Sequence, residues 1–143
     1  MDPRVVEHAK WLVNYCTSVK RGEQVLIRLG GADFGGDPEG LELATEVYKE
    51  VSRLGANPLI LVFPGEAIRG QLELTPEEDL TLTPRNYYEL VKLSDVIIAI
   101  HADSNTRFLE HIDPKRIGKR FQALAPLQQQ QLKKTMDGDH SPH

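Results

Sequence analysis

Residues 96–100 read VIIAI, an unbroken apolar run bounded by Ser94-Asp95 before it and His101 after it. A run this short with no polar alternate is a strand buried on both faces, the situation of an interior strand in a parallel sheet. Parallel strands cannot be joined by a hairpin, so the rest of the chain has to supply crossover helices.

It does so on both sides. From Pro3 to Ser18, Val5, Ala9, Leu12 and Cys16 recur at i, i+4, i+7 and i+11, with Val6 and Val13 beside them, as one face of an amphipathic helix. Lys20, Arg21 and Gly22 supply a basic last turn and a stop, and QVLIRL follows as a strand. Leu41, Ala44, Tyr48 and Val51, with Val47 and Leu54, make a second helix that stops at Gly55, and LGANPLILVF turns into a second strand. Residues 64–84 read as a loop carrying one short helix. Tyr87, Leu90, Val91 and Leu93 form a helix that closes just before VIIAI. A last helix starts at Pro114 with Ile117, Phe121 and Leu124 and is interrupted at Pro126. This alternation predicts an α/β fold, a three-layer domain with a mainly parallel sheet and helices on both faces, flavodoxin-like in outline. The expected domain is 1–125, and 126–143 is expected to be a polar tail or linker, partly disordered.

Composition narrows the function classes. Seventeen Lys and Arg against twenty-one Asp and Glu give a net charge of -4, and a 40% apolar fraction supports a buried core. That balance argues against nucleic acid as a partner. The single cysteine, Cys16, cannot form an internal disulfide and sits in an apolar helical pattern, which favours a reducing, cytoplasmic setting. The opening MDPRVVEHAK lacks the apolar core of a signal peptide, and VIIAI is far below membrane-spanning length, so no membrane partner is expected.

In such a sheet ligands gather at the carboxyl ends of the strands, here Arg28 to Asp37, Phe63 to Ala67 and His101 to Asn105. The first of these, RLGGADFGGDPEG, invites a phosphate-loop reading. Its glycines miss the dinucleotide spacing, and after Gly36 stand Asp37 and Pro38 where a phosphate loop needs a lysine and a hydroxyl. Asp37 is expected to cap the second helix, with Pro38 in its first turn. Asp2-Pro3, Thr75-Pro76, Thr83-Pro84 and Asp113-Pro114 repeat the device, and Thr75 has Glu78 at capping-box spacing.

Other constellations are weaker. His101 and Asp103 are an alternative metal pair at a strand end, set against a solvated histidine, with further ligands to come from Asp33, Asp37 or Glu66. No serine stands in a nucleophile-elbow context. Lys115, Arg116, Lys119 and Arg120 read as a solvated basic helix face rather than a nucleic-acid grip. Trp11 and Tyr15 either pack at the core boundary or mark a contact with another domain or subunit. No catalytic and no metal residue is assigned.

Three blocks carry a resemblance: VVEHAKWLVNYCTSVKRGEQVLIR, ATEVYKEVSRLGANPLILVF and LVKLSDVIIAIHADSNTRFLEHIDPKRIGKRFQA. In order and spacing, over roughly residues 4–125, they resemble the amino-terminal domain of the thermophilic metalloaminopeptidases, the family of aminopeptidase T and aminopeptidase S. The resemblance implies a parent enzyme that removes amino-terminal residues from peptides. It uses two divalent ions, of zinc, cobalt or manganese type, in a carboxyl-terminal catalytic domain, and works as a homodimer. It implies no cofactor in this chain and no peptidase activity from it alone. The partners would be the missing catalytic domain and, in the full enzyme, the peptide substrate. Arg28, Asp33, Asp103, Asn105 and Arg107 are then candidates for the rim facing the substrate cleft. The alternative reading is a self-standing small-ligand-binding or protein-interaction α/β module. GGADFGGD departs from the family pattern as an insertion.

Overall fold

The computed structural model describes residues 2–30, 40–100, 109–132 and 135–137. In chain order these form helix α1 (Pro3–Trp11), a π-helical turn (Leu12–Cys16), β1 (Gln24–Leu29), α2 (Leu41–Arg53), β2 (Asn57–Val62) and α3 (Gly65–Leu74). A 3-10 turn (Glu77–Asp79), α4 (Arg85–Leu93), β3 (Val96–Ile100), α5 (Pro114–Leu132) and β4 (Thr135–Asp137) follow. Among the described residues the sheet has the order β2-β1-β3-β4 with every neighbouring pair parallel. This is the doubly wound, flavodoxin-like order, and the sheet lies between two helical layers as expected.

The layers follow from strand alternation. Ile27 pairs with Ile60 of β2 and Ile98 of β3, while Leu26 pairs with Leu59 and Ile97. Val25, Ile27, Leu29, Ile98 and Ile100 therefore share one face, packed against Ala9, Leu12, Val13 and Cys16 of the first helical segment and Ala44, Val47 and Val51 of α2. Leu26 and Ile97 point the other way, onto Tyr87 and Val91 of α4 and Leu124 and Leu127 of α5. Travel from β1 to β2 and from β2 back past β1 to β3 runs in opposite directions. Right-handed crossovers then place α2 and α4 on opposite faces.

Local signals and tertiary packing disagree in several places. Asp2 caps α1 by accepting from the Arg4 amide at 2.9 Å, and that bond with the Arg4 guanidinium holds its carboxyl below the usual range. Asp113 accepts likewise from the Lys115 amide at 2.9 Å. The two Thr-Pro starts do not behave this way. Thr75 is the C-terminal cap of α3, and Thr83 donates its hydroxyl to the Ala123 carbonyl at 2.7 Å, because that inter-element bond satisfies it more fully than a local amide. α2 begins on Gly40 without a side-chain cap, and Asp37 lies outside the described residues. The first helix does not run evenly to Ser18. The Thr17 amide reaches back five residues to the Leu12 carbonyl at 3.1 Å, a widened turn that leaves Leu12, Val13 and Cys16 all buried. The stretch read as a loop with one short helix carries the ten-residue α3 together with a 3-10 turn.

The expected interruption at Pro126 does not occur. Pro126 is on the exposed side of α5, where the carbonyl it deprives of a partner belongs to exposed Gln122 and can bind water. Leu124 and Leu127, 3% and 1% exposed, clamp the helix to the sheet on either side of it. Beyond it, within the stretch expected to be a polar tail, α5 continues to Leu132 and residues 135–137 pair with β3.

Glycines matter at the turns. Gly22, Gly30 and Gly55 have φ of 84°, 80° and 81°, left-handed values that favour a residue without Cβ. Gly30 lets the chain turn immediately after β1 while its amide donates to the Ile100 carbonyl at 3.1 Å, which ties the carboxyl ends of β1 and β3 together.

Three outcomes check this architecture. Ile27→Ala, at a fully buried site between two strands, should lower the unfolding free energy in urea by about 2–5 kcal/mol, whereas Leu59→Ala on the edge strand should cost about 0.5 kcal/mol or less. Burial also pushes the Cys16 thiol above its ordinary pKa, so the native chain should react with a thiol reagent far more slowly than the urea-unfolded chain. Because the folded value exceeds the unfolded one, this thiol contributes stability below the unfolded pKa that is lost as pH rises from there through the folded pKa, measurable as a fall in Tm that Cys16→Ala makes shallower.

Candidate functional site

Of the rim residues, Arg28 is described, and it is not free at the strand end. It is the fifth residue of β1, on the face covered by α4 and α5, and its Nη1 donates to Oε1 of Gln131. Gln131 in turn donates from Nε2 to the Tyr87 hydroxyl at 3.0 Å. The chain Arg28–Gln131–Tyr87 exists because α5 passes through Pro126 and brings Gln131 over the sheet. The Arg28 Nε is buried without a hydrogen-bond partner among the described residues. Asp33, Asp103, Asn105 and Arg107, and the alternative metal pair His101 and Asp103, lie outside the described residues.

A second feature lies beside this chain, at the carboxyl end of β2. There Phe63 and Pro64 lead into α3, and the space between α3, α4 and α5 is an open groove of about 520 Å³. Leu61, Phe63, Ile68 and Leu90 give it apolar walls, and Tyr87 meets Phe63 edge to face with ring centres 5.1 Å apart. Arg120 of α5 closes one side. It is only 8% exposed, its Nη1 makes a long bond of 3.3 Å to the Leu82 carbonyl, and its Nε is buried without a partner among the described residues. Burial alone draws its pKa below the ordinary guanidinium value. Among the described residues no Asp or Glu lines the groove.

The basic cluster on α5 is thus not a uniformly solvated face. Arg116 turns inward, donating from Nε to the Leu72 carbonyl at 2.7 Å and from Nη2 to the Thr75 carbonyl, and so ties off the last turn of α3. Lys119 bonds Glu77 at 2.7 Å and holds that exposed carboxyl below its usual range. The signal for the inward pair was present in the spacing. Positions 116, 120, 123 and 127 form one helical stripe, and its last two members, Ala123 and Leu127, are each 1% exposed. Trp11 and Tyr15 are 37% and 74% exposed on the opposite layer, with Trp11 against the His8 ring at 6.2 Å.

The described residues do not fit a metal centre: no three His, Cys, Asp or Glu side chains converge among them. No helix of the described residues is long and apolar enough to cross a membrane.

Fold and site together define a doubly wound α/β domain whose carboxyl edge carries an apolar groove. The chain belongs to the thermophilic metalloprotease family (M29), whose family model matches residues 1–141. Among solved structures it is similar to wild-type AmpT from Thermus thermophilus, with a TM-score of 0.72 and 16% identity. The match covers 93% of this chain and 34% of that one, so the chain spans about a third of the length of the protein it resembles. No curated protein sequence matches it. At that identity the structural likeness is one of fold, and the family match confirms the resemblance drawn from the three sequence blocks.

The Arg116 contacts give a check on how α3 is held. Arg116→Met keeps the side-chain stem but leaves two carbonyls unpaired, and should cost about 1–3 kcal/mol in urea unfolding, against about 0.5 kcal/mol or less for Lys115→Met.

Proposed function

We propose that this chain is the non-catalytic amino-terminal domain of a metal-dependent aminopeptidase that removes amino-terminal residues from peptides in the cytoplasm. The observation that carries the reading is the pairing of a family match along almost the whole chain with a fold match to one third of AmpT. Two divalent ions of zinc, cobalt or manganese type would be held by a separate catalytic domain, and the described residues of this chain do not fit them. In this reading peptide hydrolysis takes place in that separate domain.

In that arrangement the domain packs against its catalytic partner and walls part of the substrate cleft with the carboxyl edge of its sheet. Arg28, Asp33, Asp103, Asn105 and Arg107 are the rim candidates for that wall, and Arg28 would act through the position of Gln131 and Tyr87. Homodimerisation would be a property of the full enzyme.

The test is an assay of leucine release from a leucyl peptide by the purified 143-residue chain with zinc, cobalt or manganese added in turn. The expected result is no release above the metal-only control in any of the three. Metal-dependent release that tracks the purified chain and is abolished by a chelator would overturn the proposal.

A further inference from the structure

From the groove between α3, α4 and α5 we infer a binding site for a small monocarboxylate that has an apolar body and no ammonium group. Its carboxylate sits on the Arg120 guanidinium and its hydrocarbon lies against Leu61, Phe63 and Leu90. This goes beyond the aminopeptidase reading and does not depend on it.

Three observations support the assignment. The groove, at about 520 Å³, falls within the range of roughly 300–1,000 Å³ typical of small-molecule sites, and like them it is apolar with a few polar groups at its edge. Arg120 is 92% buried by difference from its 8% exposure, yet among the described residues it has no carboxylate partner and only the long bond to Leu82. A buried cation without a counter-charge is costly, and an anion entering the groove would compensate it with a charge-assisted hydrogen bond. The third observation sets the ligand class. With no Asp or Glu among the described residues that line it, the ammonium of a free amino acid would enter an apolar, cationic groove unpaired, so a zwitterion is disfavoured. Asn86 adds a further polar residue to the lining, its Oδ1 accepting from the Tyr87 amide at 2.7 Å.

The experiment is a protein-observed NMR titration of the 143-residue chain with octanoate, octanol, 2-aminooctanoate and N-acetylleucine. Octanoate should bind saturably and shift the amides of Ala67 and Leu90, with octanol and 2-aminooctanoate each about tenfold weaker or more. Arg120→Gln should weaken octanoate to the level of octanol and leave octanol unchanged. Because that variant removes an interior contact, Ala67→Trp is the second probe: it fills the groove from an exposed position of α3 and should abolish octanoate binding with an unchanged circular dichroism spectrum. Tighter binding of N-acetylleucine than of octanoate would identify the source as the carboxyl end of a peptide, and the reverse order a fatty-acid-like molecule. Equal affinity for octanoate and octanol, shifts confined to residues outside the groove, no saturable octanoate binding, or undiminished binding to folded Ala67→Trp would each overturn the site.

Discussion

β1 is hydrogen-bonded on both edges and covered on both faces, and the remaining architecture is built around that enclosure. Its residues from Val25 to Leu29 pair with β2 on one side and β3 on the other, and Val25, Leu26, Ile27 and Leu29 are all but inaccessible to water. A strand in that position leaves no face free, so the apolar stripes of α1 and α2 must settle on one side and those of α4 and α5 on the other. The two cores share the strand but not its side chains. Loss of volume at Ile27 is felt by the first core and at Leu26 by the second.

The polar interruption between Val25 and Leu29 of that strand is Arg28, and it faces the layer that holds the groove. A guanidinium there is tolerated because Gln131 and Tyr87 form a polar line across an otherwise apolar surface. Arg116 and Arg120 enter the same layer from α5, where the first closes the end of α3 and the second is left with little to bond. Three arginines on one face, beside the Lys119–Glu77 ion pair, give this side of the domain its chemistry. The opposite side packs aliphatic residues against the sheet, with the buried carboxylates Glu46 and Glu50 of α2 paired to Lys49 and Arg53.

Much of the fold is legible in the sequence. VIIAI announced a doubly buried strand, the 3.6-residue stripes announced the helices, and together they required a parallel sheet with two helical layers. What escaped the sequence were places where a local rule met a tertiary opportunity. Thr83 carries a capping signature but bonds Ala123 across the layer. Pro126 carries a breaking signature, but the leucines that flank it are pinned to the sheet. The candidate site was less legible than the fold. No local pattern shows that Arg28 meets Gln131 of α5, whereas the burial of Arg120 is foreshadowed by its place in the stripe that leads to Leu127.

The sequence by itself determined the α/β class, the strands and the family, because periodicity, turn residues and block order are properties of neighbours along the chain. Only the tertiary structure decided which cations are buried and where a cavity remains. Both depend on how α3, α4 and α5 meet over β2, and that meeting is set by the volumes of residues far apart in sequence, such as Phe63, Tyr87 and Arg120. No local pattern encodes the space left between them.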